Sequence, residues 1–140
     1  MSSARAPESP EEAQVEAQGW RLVGMYQGGW GTRIVTGTIE FDGMCRPSGF
    51  QTFVFQHGLF AGTISPQIMD SRTDGAAFDV ILSSKAPGEV QQVTASFMRY
   101  TPEDPLCCAS AKTDVTYRIT VENAKPLLIP VQASTTQAPG

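Results

Sequence analysis

The feature that most constrains the fold is a series of short segments in which apolar and polar residues alternate. The clearest covers residues 113–122, where Val115, Tyr117, Ile119 and Val121 fall on one face and polar residues on the other. A period of two residues is typical of a strand with one buried face. We therefore expect these four side chains to point into a core.

Seven further segments have the composition of strands and are separated by turn residues. They cover residues 20–26, 33–41, 50–55, 59–65, 78–82, 90–100 and 126–131. Segments 50–55 and 59–65 read as a hairpin across Gln56, His57 and Gly58. No long βαβ pattern is present, so we expect neighbouring strands to be antiparallel.

Two of these segments predict which side chains share a face of the strand. Within 33–41 we expect Val35, Ile39 and Phe41 to share a face. Within 78–82, Phe78, Val80 and Leu82 alternate in the same way and are expected to lie together, since side chains two residues apart in a strand point to one side of the sheet.

A short helix is predicted before the first strand. Ser9 is a suitable N-cap, Pro10 suits the first helical position, and acidic residues follow in the first turn. The helix should end near Gly19. The fold class is thus α+β but mainly β, an antiparallel sheet of about 6–8 strands with one short N-terminal helix.

Composition divides the chain into one domain and two tails. Residues 1–10 and 132–140 are small, polar and proline-bearing, and we expect them to be disordered. The β-rich domain would then cover residues 11–131. A core of ordinary size is possible at this length.

Charge and hydropathy exclude two classes of function. The 10 Lys and Arg residues are scattered, the net charge is −4, and no basic cluster exists to contact phosphates. We therefore expect no nucleic-acid partner. No apolar run approaches the ~20 residues of a membrane-spanning helix.

The three cysteines allow several arrangements. Cys107 and Cys108 are adjacent, and Cys45 is the distant partner available to either of them. We favour one bridge from Cys45, which would contribute roughly 4 kcal/mol by closing a long loop. Three reduced thiols, or a ring between Cys107 and Cys108, are the alternatives. Adjacent cysteines do not readily reach the usual Cα separation, which disfavours the ring.

Recognisable catalytic, metal and cofactor motifs are absent from the sequence. Adjacent thiolates suit one zinc ion poorly, and His57 is the single imidazole of the chain. We expect His57 to be an exposed turn residue, and we expect no metal, no cofactor and no catalytic residue.

Two polar loops contain the candidate ligand-binding residues. In the first loop, Asp70, Arg72 and Asp74 follow a strand and precede Gly75. These residues can stabilise turns through their own backbone, which is the favoured interpretation, but polar loops on a sheet also often carry binding sites. The second loop follows the segment 90–100.

Arg99 and Tyr100 introduce that second loop, and two prolines follow them. The prolines would limit further strand pairing and fix the approach to the adjacent cysteines. We also expect that Arg99 and Tyr100 could form one wall of a shallow groove whose other wall is the Asp70 loop. This hypothesis requires the two loops to lie close together, and its basis is that both loops are polar and flank strands.

The residues around the adjacent cysteines also suggest a family. The segment 106–119, with Cys107 and Cys108 before an alternating strand, resembles the LppP/LprE family of bacterial lipoproteins. The hairpin 52–66 is similar to an aromatic strand, polar turn and Gly-to-Pro exit of that family. The resemblance covers roughly residues 50–130.

The resemblance implies a non-enzymatic protein of the cell envelope or periplasm with a binding or scaffolding role. Its partner would be an unknown protein or small molecule there. Membrane contact is expected only through an N-terminal lipid anchor, for which this sequence contains no lipobox. Two alternatives stay open: a redox-responsive protein that uses Cys107 and Cys108, and a hydrolase with a dispersed Asp/Ser site.

Overall fold

The computed structural model describes residues 5–41, 43, 47–70, 73–83, 91–105 and 107–137. The chain is mainly β, as predicted, and each predicted strand segment contains a strand. The elements are α1 (Pro10–Ala17), β1 (Arg21–Gly29), β2 (Thr32–Phe41), β3 (Pro47–Gln56), β4 (Leu59–Thr63), β5 (Ala77–Leu82), β6 (Gln92–Arg99), β7 (Ala111–Glu122) and β8 (Lys125–Gln137).

The strands form two antiparallel sheets, not the one sheet of about 6–8 strands that was expected. The first sheet has the order β1-β2-β3-β4 and the second has the order β5-β6-β7-β8. The chain passes from one sheet to the other in the connection 64–76, and β4 lies beside β8. One flat sheet would leave an apolar face in water, whereas two stacked sheets bury their inner faces against each other.

The main core lies between the two sheets. The first sheet contributes Ile34 and Val54, and the second contributes Val93, Phe97 and Ile119, all at least 94% buried. Tyr117 joins this core as expected, and Val115 packs against it in a partly buried position. Apolar burial of this kind is the main favourable term in folding.

A second apolar cluster covers the opposite face of the first sheet. Val15 of α1 packs there with Leu22, Val35 and Phe55. Strand β2 is therefore buried on both faces, with Ile34 toward the second sheet and Val35 toward α1. Alternation alone could not predict this, because both faces of a doubly covered strand are apolar.

Helix α1 begins as the sequence predicts. The Ser9 side chain accepts a hydrogen bond from the Glu12 backbone N–H at 3.2 Å, and Pro10 opens the helix. This cap satisfies one of the N–H groups that lack an intrahelical partner.

A buried ion pair joins the N-terminal segment to α1. The Glu12 side chain is fully buried and accepts hydrogen bonds from both Nη atoms of Arg5 and from the Glu8 backbone N–H. Burial, the largest single influence, raises the pKa of Glu12. The hydrogen bonds and the Arg5 charge together outweigh it, so the pKa lies below its ordinary value.

The same arginine also reaches β1. Its Nε donates to the Gly24 carbonyl at 2.7 Å, and the Arg5 backbone pairs with Leu22. Residues 5–10, which belong to the predicted N-terminal tail, are thus attached to the edge of the first sheet and to α1.

Three apolar side chains of the alternating segments are exposed, and of these only Val121 was expected inside. Ile39 is 51% exposed because an eight-residue helix, about 12 Å long, covers only part of the ten-residue β2. Phe78 is 50% exposed because a β-bulge between Ala77 and Asp79 turns it outward. Val121 is 66% exposed and lies beside the β7–β8 turn, beyond the main core.

The last strand is longer than the sequence suggests. β8 pairs with β7 from Lys125 to Gln137, which includes residues 132–137 of the predicted C-terminal tail. These small and mostly polar residues contribute little burial, so their composition resembles that of a tail although their backbone is paired.

Candidate functional site

A cleft of about 970 Å³ opens between the β4–β5 connection and one end of the second sheet. This volume lies in the range of small-molecule sites. The inner face of the sheet supplies side chains from three strands, and the connection covers them from above. The sheet contributes Phe97, Arg99, Val115, Tyr117, Leu128, Pro130 and Ala133.

The connection over the cleft is fixed by hydrogen bonds to both sheets. The Tyr117 hydroxyl of β7 donates to the Ile64 carbonyl at 2.6 Å, and Met69 exchanges two backbone hydrogen bonds with Phe50 of β3. The Gln51 side chain donates to two carbonyls of the same connection. Burial raises the pKa of Tyr117 to about 12, so its hydroxyl stays a donor over the physiological range.

Asp70 and Asp74 both line the cleft, and each also holds backbone in place. Asp70 Oδ1 accepts a hydrogen bond from the Gly49 N–H at 2.7 Å, and Asp74 Oδ1 accepts one from the Tyr100 N–H at 3.0 Å. Both bonds go to backbone more than 20 residues away in the chain, so they differ from the local turn contacts that the sequence favours for these residues. They tie the connection to β3 at one end and to β6 at the other.

Arg99 enters the cleft from the end of β6. Its Nε donates to Thr113 Oγ1 at 2.9 Å, and that hydroxyl is 2.8 Å from the Thr135 hydroxyl on β8. Gly75 lies against the other side of the guanidinium, where an added Cβ would be 3.5 Å from Arg99 Nη1. The Arg99 side chain is half-buried, and among the described residues its guanidinium is held by β7 from one side only.

The structure therefore brings together three of the five candidate ligand-binding residues, Asp70, Asp74 and Arg99. Tyr100 is adjacent to the cleft but does not line it, and its hydroxyl contacts Met98 Sδ at 3.5 Å. Arg72 lies outside the described residues. The two loops that were expected to form a groove are in contact through Asp74 and Tyr100.

The apolar floor of the cleft was not predicted as a site. Its buried part includes Ile64, Met69 and Phe97, and Leu128 is partly buried beside them. The alternation in β6 and β7 indicated that one face of these strands points inward. It could not show that this face extends beyond the area that the first sheet covers. No short sequence motif marks such a surface.

The adjacent cysteines form a disulfide with each other. Cys107 and Cys108 are bonded, and both are exposed. The favoured arrangement, a bridge from Cys45 to one of them, is therefore not the one in the structure, because neither sulfur is available for it. Cys45 itself lies outside the described residues.

The turn that carries the disulfide is organised by Asp104. Its carboxylate accepts hydrogen bonds from the backbone N–H groups of Thr101 and Ser110 at 2.8 and 2.9 Å. These bonds, that from Thr101 above all, hold the pKa of Asp104 below its ordinary value. The backbone N–H of Cys108 donates a hydrogen bond to the Pro105 carbonyl, so Pro105 and Asp104 both help to shape the turn that carries the sulfurs.

We expect reduction of the protein by a dithiol to change its free energy of unfolding by less than about 1 kcal/mol. A ring between adjacent residues closes almost no loop and so removes little chain entropy from the unfolded state. The measurement is chemical denaturation with and without reductant, together with mass-spectrometric mapping of the bonded peptide. A loss near 4 kcal/mol, or a peptide linked to Cys45, would contradict the structure.

Other potential sites are less developed. His57 is exposed at the β3–β4 turn, as predicted, with a φ of 50°. In the part of the chain that the structure describes, no group of three or more His, Cys, Asp or Glu side chains is arranged to hold a metal ion. Among the described residues, no helix has the length and apolar composition that a membrane-spanning helix needs.

Comparison with known proteins gives one match. The family model described as LppP/LprE lipoprotein matches residues 30–121, from just before β2 almost to the end of β7. No curated protein and no solved structure matches the chain. The matched region contains Asp70, Asp74, Arg99 and both adjacent cysteines, and it confirms the family that the sequence suggested.

Proposed function

Because the chain belongs to the LppP/LprE lipoprotein family, we propose that it is a non-enzymatic binding domain that works outside the cytoplasmic membrane. Family membership associates the protein with the cell envelope. The cleft between the β4–β5 connection and the second sheet is the binding site in this proposal. The ligand is a small molecule or a short segment of a partner, of a size that the cleft can enclose.

One observation carries the proposal: the cleft combines a buried apolar floor with a few charged groups at its rim. Ile64, Met69 and Phe97 are all at least 94% buried and form the floor, while Asp70 and Arg99 stand at the rim. Small-molecule sites commonly have this composition, in which apolar contacts supply affinity and a few polar groups fix orientation.

The acids of the cleft support binding more than hydrolysis. A hydrolytic pair needs one carboxyl group to donate or accept a proton at the substrate. Asp70 and Asp74 each use one oxygen to hold the backbone of a neighbouring element. Their positions are explained by this structural role, so we propose that they shape the cleft.

Filling the cleft should abolish ligand binding without unfolding the protein. Ala133 lines the cleft from the exposed strand β8, so A133F should place a ring inside it. The measurement is the shift of backbone amide resonances during a screen of small apolar and amphiphilic compounds. For wild type we expect shifts that cluster around Phe97, Val115 and Leu128, and for A133F we expect these shifts to disappear.

The neighbouring residue provides a matched control. Ser134 is exposed on the same strand, and its side chain alternates to the opposite face of the sheet. S134F should therefore bind as the wild type does. Shifts that cluster elsewhere, or shifts that A133F leaves unchanged, would contradict the cleft as the binding site.

A redox role is the second candidate, and the exposed bond between Cys107 and Cys108 favours it. Exposed disulfides exchange readily with thiols, since the attacking thiolate can reach a sulfur. Equilibration of the protein in thiol–disulfide buffers would measure its reduction potential. A potential far below that of the surrounding thiol pool would exclude a switching role.

A further inference from the structure

We propose that the cleft binds an amphiphile with an apolar body and a single carboxylate, and that Arg99 recognises the carboxylate. This inference rests on the proposed binding function and adds the chemical class of the ligand. It follows from the placement of one half-buried cation at the end of an apolar surface.

The described part of the chain orients the Arg99 side chain but does not neutralise its charge. Thr113 holds its Nε, and the Thr135 hydroxyl contacts that of Thr113 in turn, so the guanidinium is anchored at one edge. Among the residues that the structure describes, neither terminal nitrogen of Arg99 makes a hydrogen bond or an ion pair. With Nε occupied, the edge formed by the two terminal nitrogens keeps the paired N–H groups that match the two oxygens of a carboxylate.

Burial decides which of the cleft's charges dominates. Arg99 is half-buried, whereas Asp70 and Asp74 are exposed and are not within ion-pair distance of it in the described part of the chain. Water screens the exposed acids strongly and screens the half-buried guanidinium much less. A cation in such a place is stabilised by an anion, because its own desolvation is otherwise uncompensated.

The same acids limit how much negative charge the ligand can carry. Two carboxylates at the rim repel a dianion more than a monoanion, and the chain as a whole has a net charge of −4. A ligand with one carboxylate gains the contact with Arg99 at the lowest repulsion. For this reason a monocarboxylate fits better than a phosphate ester.

The apolar body of the ligand has its own surface in the cleft. Phe97 lies two residues before Arg99 on the same face of β6, and Val115 and Leu128 continue the surface across β7 and β8. A chain that starts at the guanidinium can therefore run over apolar side chains from three strands. Its burial would supply most of the affinity, since transfer of apolar area from water is favourable.

The test compares three probes that share one hydrocarbon chain: decanoate, decanol and decylamine. Binding is measured by calorimetry and by amide shifts, below the concentration at which the probes form micelles. We expect decanoate to bind at least about tenfold more tightly than decanol, because a charge-assisted hydrogen bond is worth at least that factor. Decylamine should bind more weakly than either.

Variants identify the residue responsible. R99Q should lose the tenfold preference for decanoate, and R99K should keep part of it because the charge remains. R118Q is the matched control, since Arg118 is exposed on the outer face of β7. It should leave every affinity unchanged. Thermal denaturation checks that each variant is folded. The comparison of the three probes uses the wild-type protein, so it tests the proposal even if a variant does not fold.

The outcomes separate this inference from the proposed function. Equal binding of decanoate and decanol in a cleft that A133F blocks would overturn the role of Arg99 and leave the binding function intact. Tighter binding of decylamine would also overturn it, and would assign recognition to Asp70 and Asp74. If none of the three probes binds in the cleft, the result would count against both proposals.

Discussion

Replacing Glu12 by alanine is expected to lower the free energy of unfolding by about 3 kcal/mol. The substitution removes the buried carboxylate that faces the Arg5 side chain, which is only 21% exposed, and it leaves the Glu8 N–H without its acceptor. The Glu8 carboxylate, 3.6 Å from Arg5 and 58% exposed, replaces it poorly because water screens an exposed pair. Removal of one member of a buried pair typically costs this much, because the remaining charge stays desolvated. Denaturation with urea, followed by circular dichroism, measures the change.

Helix α1 offers a matched control. Glu16 is exposed one turn later in the same helix, so E16A should change stability by no more than about 0.5 kcal/mol. If E12A and E16A had the same small effect, the ion pair would not be what attaches the N-terminal segment to the domain.

The E12A effect should also depend on pH. The pKa of Glu12 is lower in the folded protein than its ordinary value of 4.5. Its carboxylate therefore contributes its full stabilisation above pH 4.5, and this contribution is lost as the pH falls through the lowered pKa. The difference between wild type and E12A should be constant near neutral pH and should shrink on acidification. A difference that grows on acidification would contradict the assignment.

Replacing Ile34 by alanine is expected to cost about 3 kcal/mol as well, for a different reason. Ile34 is 1% exposed at the centre of the core between the sheets. Its truncation removes apolar burial and leaves a cavity that closely packed neighbours cannot fill. Thermal and chemical denaturation of I34A would measure the loss.

Ile39 on the same strand is the control for this prediction. It is 51% exposed, so I39A should change stability by no more than about 0.5 kcal/mol. The pair also tests the two-layer arrangement around β2. If I39A were as costly as I34A, Ile39 would be covered by protein, which would contradict the structure.

The sequence predicted local structure well where one residue controls it. Ser9 and Pro10 begin the helix, and His57 and Gly58, with φ values of 50° and 82°, form the tight β3–β4 turn. Caps and two-residue turns depend on the chemistry of the residues in them, so their positions can be read without knowledge of the rest of the fold.

The candidate site was predicted only in part. The polar loops pointed to Asp70, Asp74 and Arg99, because charged residues in loops next to strands are noticeable in a sequence. The apolar floor was missed, since Phe97 and Leu128 have the same pattern as any core residue. They form a site because, among the described residues, no strand of the first sheet lies over them. The β4–β5 connection lies there instead.

The amino-acid order by itself determined the mainly β content, the strand positions, the start of the helix and the family. All of these depend on contacts between residues close in the chain or on short patterns. Only the tertiary structure decided that the strands divide into two sheets, that Cys107 bonds Cys108, and that Arg99 faces an apolar cleft. The two sheets and the position of Arg99 depend on which distant surfaces exclude water from each other, and a period of two residues is the same whichever surface covers the strand. The bond between the exposed Cys107 and Cys108 depends instead on the local shape of the turn, which no alternation reports.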